Sequence, residues 1–428
     1  MKTKGKIFAW LAFFNYAHAG LGFLINIWIA NRLGAEGYGM VAYAIVLSSF
    51  VATLTNFASD RTLVRDLVQS EKPHATMAAS MALRLVVALC IGVVLFGWLC
   101  TGAAQEKTWP VFLCALWGML QALQPTAWFD SRYEMHIHAG ITLLERILYC
   151  VVVFCLLTGF PALGKAPVMV AGAMFFSRLL AITGQWKWVL RSFRPSWQGL
   201  GGNITWLVRE NLPILFAALS NMLMTHVNQL ILERRQTIAV LAQYAVAMQL
   251  IGIVIIFQAQ IVRLLTPRIA EICKNGIGMR RGLLKYSALS ALDTMVLIIP
   301  LVWLAPWIVE ICFRPEYADA VKPLRILACW CMLYGPALVL NQFLISLRLN
   351  RSYLVISLLS GCLAVILSAQ WAKSMGASGA ACALLVSHAL SIVLQFILVW
   401  RRMGSTGRRG DGTNPLASLL PDQAPMAV

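Results

Sequence analysis

Three arginines occur inside long apolar stretches of this sequence, where an ionisable side chain is costly. Arg84, Arg146 and Arg178 each lie in a run of apolar residues long enough to cross a bilayer. Charged groups at such depth are rare and mark ligand or ion pathways by default. A guanidinium presents a planar fork of donors that matches phosphate oxygens. The three residues therefore predict a positively charged path for an anionic ligand, such as a pyrophosphate.

Structural roles are the alternative for these arginines. Arg84 and Arg146 lie roughly 10 Å, and Arg178 roughly 13 Å, from the inner ends of their predicted spans at 1.5 Å per residue. An arginine at that depth can lift its head group to the interface. Glu145 precedes Arg146 and can pair with it or with an arginine elsewhere, because adjacent helical residues point about 100° apart.

Other polar residues give further candidates for the same path. Arg61 and Arg65 are four residues apart, so they share a helical face that could meet a ligand phosphate at the inner mouth. Asn228 and Gln229 could bind sugar hydroxyls, and Asp293 is an ion-coupling candidate. The alternatives are ordinary inside-positive charges, interhelical hydrogen bonds and a carboxylate–arginine pair.

The sequence contains no catalytic or metal-binding constellation. It has no glycine-rich phosphate loop, no paired acidic motif in a loop and no Ser-His-Asp order. The 11 cysteines show no CxxC or zinc spacing, and we expect them to be reduced and structural. His18, His226 and His388 are expected to be neutral and hydrogen-bonded across helices, with a proton relay as the alternative role. We therefore expect a transporter without cofactor or metal, and not an enzyme.

Composition assigns the chain to the all-α polytopic membrane proteins. It is 60% hydrophobic and 12% charged, with a mean hydropathy of +0.74, whereas soluble domains carry about 25% charged residues. Apolar blocks of about 20 residues match the hydrocarbon thickness at helical rise. The alternating segments of a β-barrel are not seen. The net charge of +18 does not indicate nucleic-acid binding, because Lys and Arg lie in loops between apolar blocks.

About twelve spans are predicted, each near the length that one crossing requires. They are placed at 8–30, 40–58, 77–99, 109–128, 139–160, 167–186, 212–232, 239–262, 284–309, 323–346, 353–372 and 378–400. Most of the 35 Lys and Arg residues fall on the side of the N-terminus, so both termini are predicted to lie inside.

The spans divide into two predicted lobes. An N-terminal six-helix lobe covers 1–190, a cytoplasmic linker 191–211, and a C-terminal six-helix lobe 212–402. Two six-helix bundles are a common transporter plan. The tail over 403–428 is predicted to be disordered and cytoplasmic.

Five segments, in order along the chain, carry a resemblance to a known family. Asn31–Gly39 resembles the "R-L-G-x-E-G-Y-G" turn of the polysaccharide flippases, and Asp60–Asp66 resembles that family's segment after span 2. Trp128–Asp130 is similar to its "W-x-F/Y" helix end. Phe313–Tyr317 resembles its "F-G-x-E-Y" loop, and Gly376–Ala381 resembles the start of its last span. These flippases are the Wzx-like O-antigen and related repeat-unit translocases of the multidrug/oligosaccharidyl-lipid/polysaccharide (MOP) exporter superfamily.

The first of these motifs predicts a tight outside turn, in which Gly34, Gly37 and Gly39 permit the chain to reverse. The sequence departs from the family's pattern at two places. Arg314 stands where glycine is usual, and Ser59–Asp60 replaces a pair of small apolar residues. These departures concern the substrate rather than the class of protein.

The resemblance implies two bundles around a central cavity. It implies a flippase that moves undecaprenyl-pyrophosphate-linked oligosaccharide repeat units from the cytoplasmic to the periplasmic leaflet by alternating access. Such a protein is a multi-pass component of the bacterial inner membrane in O-antigen and lipopolysaccharide assembly, with the lipid bilayer and the polysaccharide polymerase machinery as partners. We expect a monomer, because the two bundles face each other within one chain. The sequence does not identify a coupling ion.

Other functions remain open on the sequence. A peptidoglycan-precursor flippase of the best-known type usually carries two more spans, and a drug exporter needs an acidic cavity for cations. A membrane polysaccharide polymerase would carry a large outer loop. An acyltransferase would need a deep histidine with a clear partner, for which His226 is the weak candidate. A non-transporting scaffold has no reason to retain intramembrane arginines.

Overall fold

A computed structural model gives the fold of most of the chain. It describes residues 2–69, 72–100, 108–132, 134–159, 166–196, 199–275, 278–347 and 349–406, apart from some side chains within the helices. Residues 403–406 of the predicted tail belong to the last helix, and the rest of that tail lies outside the described residues.

The described residues form long helices joined by short connections. In chain order these are α1 (Lys2–Asn56), α2 (Asp60–Gln69), α3 (Pro73–Cys100), α4 (Thr108–Ala122), α5 (Thr126–Ser131), α6 (Met135–Gly159), α7 (Ala166–Val189), α8 (Leu200–Arg235), α9 (Ile238–Asn275), α10 (Met279–Cys312), a 3₁₀-helix (Pro315–Ala320), α11 (Val321–Ser346) and α12 (Asn350–Thr406).

Nine helices of the described residues are long and apolar enough to cross a membrane. Two of them, α1 and α12, have 55 and 57 residues, well above the roughly 20 that one crossing needs. Each is interrupted at one glycine with positive φ, Gly34 (71°) and Gly376 (57°). Helix α4, with 15 residues, is not among the nine. The all-helical membrane fold is confirmed, and the number of twelve crossings stays a prediction.

The predicted outside turn over Asn31–Gly39 is wrong in its extent. The chain is helical on both sides of Gly34, which alone in this segment has positive φ. Gly39 has a different role. A Cβ atom on Gly39 would lie 2.3 Å from the carbonyl oxygen of Ile238. The missing side chain therefore allows α1 to approach the start of α9.

Two predicted boundaries also differ from the structure. The span placed at 109–128 ends at Ala122, and the separate helix α5 carries Trp128. Pro125 lies between the two helices, and proline lacks an amide proton and disfavours a helical conformation in the residue before it. Helix α8 begins at Leu200, so the second half of the linker predicted at 191–211 is helical.

The packing suits a lipid surrounding. Large apolar side chains face outward, as Val93 and Trp303 do with 72% and 81% of their surface exposed. Small residues such as Ala30 and Ala380 are fully buried where helices meet. This pattern is typical of membrane helices, because small residues let backbones approach closely and lipid is as apolar as the outward-facing side chains.

The helices form two groups. Helices α1 to α7, here the N-half, pack mainly on one another, and α8 to α12, the C-half, do the same. The halves meet where α1 packs against α8 and α9, and where α3 packs against α8.

Candidate functional site

A buried ion pair joins two helices of the N-half. Glu145 of α6 and Arg178 of α7 approach to 3.0 Å between Oε1 and Nε, and both side chains are buried. The Arg178 guanidinium also lies 5.4 Å from the ring centre of Trp117 on α4. The partner of Glu145 is therefore an arginine of the neighbouring helix. The sequence had left open whether it would be Arg146.

Arg146 contacts a histidine of α1. Its Nη2 lies 3.2 Å from Nε2 of His18, whose Nδ1 lies 3.2 Å from the backbone oxygen of Thr142. A carbonyl oxygen only accepts hydrogen bonds, so Nδ1 of His18 carries the proton and donates it. Nε2 then has a lone pair that accepts from the guanidinium. This hydrogen-bond pattern requires a neutral His18.

Together these four side chains, His18, Glu145, Arg146 and Arg178, form what we call the basic cluster. Its two guanidinium groups are close enough to interact electrostatically. Two arginines, one glutamate and a neutral histidine leave one excess positive charge. Arg178 is buried with its partner, whereas Arg146 is half-buried. The excess charge is therefore available on Arg146.

The arginines of the basic cluster lie farther from their helix ends than the predicted spans implied. Arg146 is eleven residues from the start of α6 at Met135, and Arg178 eleven from the end of α7 at Val189. At 1.5 Å per residue both are about 17 Å from their helix ends. The distances to the inner ends of the predicted spans were roughly 10 Å for Arg146 and roughly 13 Å for Arg178. They are shorter because both helices extend beyond the predicted spans.

Arg84 has a separate set of partners. Its side chain is 1% exposed. Nε and Nη2 donate to Oγ of Ser59 at 3.0 and 2.7 Å, and Nη1 donates to the backbone oxygen of Ala122 at 2.7 Å. Ala122 ends α4, where unpaired carbonyls favour a cation. The structure thus brings together Arg146 and Arg178, and places Arg84 against two residues outside the basic cluster.

The remaining sequence candidates lie on other elements. Arg61 and Arg65 belong to α2, but their side chains lie outside the described residues. Asn228 is buried on α8 and accepts a hydrogen bond from Ser368 of α12. Gln229, beside it, is also buried. Asp293 is half-buried on α10, and its Oδ2 has no hydrogen-bond partner among the described residues.

Two of the sequence motifs meet across the halves. Asn31 donates from Nδ2 to the backbone oxygen of Cys312 at 2.7 Å, and its Oδ1 accepts from the backbone nitrogen of Arg314 at 3.1 Å. The Tyr317 hydroxyl donates to the backbone oxygen of Ala30 at 3.1 Å. We call these contacts the outer clasp, because the charge bias places this end of the helices outside.

A further contact lies beside the outer clasp. The Tyr38 hydroxyl donates to Oε1 of Gln249 at 2.7 Å, and Nε2 of Gln249 donates to the backbone oxygen of Phe23 at 3.3 Å. Gln249 therefore ties α9 to both segments of α1. The motifs were quoted from the sequence as separate loops, and no local signal indicated that they touch.

The fold defines the class of protein. A solved structure of the lipid II flippase MurJ, in an inward closed conformation, aligns with a TM-score of 0.69 at 11% identity, covering 93% of this chain and 90% of that one. An inward-facing multidrug resistance MATE family transporter of the MOP superfamily aligns at 0.65 and 15%, covering 92% and 96%. A MOP superfamily transporter from Pyrococcus furiosus aligns at 0.61 and 14%, covering 94% of each. The chain has the two-lobe helical fold of MOP superfamily transporters.

The family follows from the sequence itself. The profile of the family described as polysaccharide biosynthesis protein matches residues 5–273, which is more than half of the chain. The chain therefore belongs to the polysaccharide biosynthesis protein family. The predicted resemblance to the MOP-type polysaccharide flippases is confirmed. None of the curated proteins matches the chain.

Proposed function

We propose that this protein moves undecaprenyl-pyrophosphate-linked polysaccharide repeat units from the cytoplasmic to the periplasmic leaflet by alternating access. The basic cluster is the observation that carries the proposal. Its excess positive charge lies on Arg146, about 17 Å along α6 from the helix end. Among the described residues His18 is the one hydrogen-bond partner of this guanidinium. A pyrophosphate oxygen can accept hydrogen bonds from the donors that remain.

The other members of the basic cluster position Arg146 rather than compete with it. Glu145 pairs with Arg178 at 3.0 Å and also interacts with Arg146, so one carboxylate serves two arginines and leaves one excess positive charge. Neutral His18 accepts from Nη2 and holds one edge of the guanidinium. The donors that remain on the guanidinium can then make a bidentate contact with a phosphate.

Family membership and fold agree with this cargo. The family is a polysaccharide biosynthesis family, and one structural neighbour is named a lipid II flippase. We assign the remaining candidates to the same path: Arg61, Arg65 and Arg84 on its inner side, Asn228 and Gln229 toward the sugar, and Asp293 as an ion-coupling group. The proposal places the chain in the bacterial inner membrane as a monomer that supplies the polymerase machinery, without catalysis of its own.

A peptidoglycan precursor is the second candidate cargo. The structural likeness to the lipid II flippase MurJ, with a TM-score of 0.69, favours it. A drug cation is less compatible with a cluster that carries a net positive charge. The two lipid-linked cargos are distinguished by complementation, in one strain lacking its repeat-unit flippase and in another depleted of its lipid II flippase.

The test replaces Arg146 with Ala and with Lys in the strain that lacks its repeat-unit flippase. We expect Arg146→Ala to lower surface polysaccharide at least tenfold and Arg146→Lys to restore part of it, because Lys keeps the charge but not the fork. Membrane levels are measured for each variant. Arg191→Ala is the matched control, since Arg191 is an exposed arginine stacked on Trp188. Normal display by Arg146→Ala at normal membrane level would exclude the basic cluster as the cargo site.

A further inference from the structure

A histidine lies among aromatic rings within the C-half. His388 of α12 stacks on Tyr334 of α11, with ring centres 6.0 Å apart and planes 24° apart. It also meets the ring of Trp330 edge-on at 5.8 Å. His388 and Trp330 are 6% and 2% exposed. The imidazole is thus enclosed between α11 and α12.

The polar atoms of this group are unsatisfied. Neither ring nitrogen of His388 has a hydrogen-bond partner among the described residues, and the same holds for Nε1 of Trp330. The interhelical hydrogen bond expected for His388 from the sequence is therefore not formed there. Buried polar atoms without partners are uncommon and costly. Trp330 offers a donor, and a neutral imidazole offers one donor and one acceptor, which suits a small polar occupant such as water.

A buried polar stripe continues from His388 along the same helix. Ser391 and Gln395 follow at three and seven residues, are 3% and 4% exposed, and are joined by a 3.1 Å hydrogen bond from Nε2 to Oγ. Oε1 of Gln395 has no partner among the described residues, and neither does Oδ1 of Asn341, seven residues beyond Tyr334 on α11. The stripe runs toward the end of α12 that the charge bias places inside.

The depth of His388 makes these features functionally relevant. It lies about 17 Å beyond Ala377, where the second segment of α12 begins, and thus near the middle of a hydrocarbon layer about 30 Å thick. An ionisable side chain at this depth is a functional candidate. Among the described residues no charged side chain interacts with the imidazole. Tyr334 is the titratable group that packs on it, with Cys331 and Tyr353 next to Tyr334.

We infer that His388 is a proton-binding site of the C-half, reached from the inner side along Ser391 and Gln395. The proton adds to the lone pair of one ring nitrogen, and no bond is broken. The imidazolium then has two donors and a positive charge facing the Tyr334 ring, an arrangement that aromatic faces favour. A charge at this depth also requires water or a new partner, so protonation changes the packing of α11 against α12.

This inference rests on the proposed flippase function in one respect only. The inference adds a coupling proton bound at His388 to the ion-coupling role proposed for Asp293. Proton binding itself can be measured without any cargo. Its failure is therefore distinguishable from failure of the proposed function.

The test titrates the full chain in lipid nanodiscs after isotope labelling of its six histidines. His388→Gln identifies the His388 resonance by its loss. We expect that resonance to move from its neutral to its charged position within roughly pH 4–8, the range in which histidine charge changes in proteins. Trp330→Phe, which removes the Nε1 donor and keeps a ring, should shift the midpoint. A resonance that stays neutral throughout this range would overturn the inference.

Transport gives the second arm of the same experiment. In proteoliposomes the native chain should respond to an imposed pH gradient, and His388→Gln should lose at least tenfold of that response. His136→Gln is the matched control, since His136 lies at the start of α6 in the N-half. A full pH response by a folded His388→Gln chain would also overturn the inference. If no lipid-linked cargo moves at all while His388 still titrates, the proposed function fails and the proton site stands.

Discussion

The buried charged side chains of the N-half include an ion pair of opposite charges. Arg178 and Glu145 are both buried and 3.0 Å apart, in a region where either charge alone would be expensive. Arg146 shares its helix with Glu145 but contacts His18. The single carboxylate of Glu145 therefore leaves one excess positive charge on the two arginines. A phosphate-bearing cargo would provide the missing negative charge.

Removing the carboxylate of Glu145 should leave the buried charge of Arg178 without its partner. We expect Glu145→Gln to lower the stability of the purified protein by about 3–5 kcal/mol, the usual penalty for breaking a buried ion pair. Thermal unfolding in detergent measures it.

The matched control for this change is Asp319→Asn. Asp319 Oδ1 lies 3.4 Å from Nζ of Lys322, and the side chains of Lys322 and Asp319 are 77% and 69% exposed. Such surface pairs contribute about 0–1 kcal/mol to stability. Equal effects of the two substitutions would contradict the role assigned to the buried pair.

Among the helices, the contact between α1 and α9 depends on the absence of a side chain. Gly39 faces the backbone of Ile238, and an added Cβ would come within 2.3 Å of its carbonyl oxygen. Real Cβ atoms do not approach that closely, so the two helices would have to separate. This contact lies beside the hydrogen bond from Tyr38 to Gln249, and the two together hold the halves close at the predicted outer end.

Gly39→Ala should therefore destabilise the protein by about 1–3 kcal/mol, as overpacking of a tight contact does. Gly92→Ala is the control, because a Cβ atom there meets nothing within 4 Å. Alanine is the better helix former by about 0.5–1 kcal/mol, so this control should be neutral or stabilising. Thermal unfolding of both variants provides the measurement, and destabilisation of the same sign and size in both would argue against a tight α1–α9 contact.

For the whole molecule, the outer clasp joins segments that are far apart in the sequence. Asn31 binds Cys312 and Arg314, and Tyr317 binds Ala30. If the protein works by alternating access, these contacts must break and reform in each cycle. The clasp would then set how easily the outer side opens, because its hydrogen bonds are lost when the halves part.

A reversible cross-link tests this role. In a chain whose native cysteines are replaced, Asn31→Cys with Arg314→Cys should stop cargo movement after oxidation and regain it after reduction. The control pair, Asp319→Cys with Lys322→Cys, lies within the C-half three residues apart and should leave movement unchanged. The extent of the Asn31–Arg314 link is measured by gel shift after proteolysis between the halves. If cargo movement is undiminished when this link is complete, the clasp stays closed throughout the cycle.

Hydropathy and charge are properties of short segments, and the sequence alone therefore determined the class of protein. The apolar blocks predicted the helices, and the motifs around Asn31 and Tyr317 indicated the family. The intramembrane positions of Arg146, Arg178 and Asp293 were also visible, because a charge within an apolar run stands out without any structure.

Pairing between helices was decided by the tertiary structure. The partner of Glu145 is Arg178 on the next helix, Arg84 binds Ser59 and Ala122, and the two motifs form one clasp. Each of these contacts depends on the rotation and approach of different helices. The sequence fixes only the helical period, so it can place a side chain at a depth but cannot choose which neighbour that side chain meets.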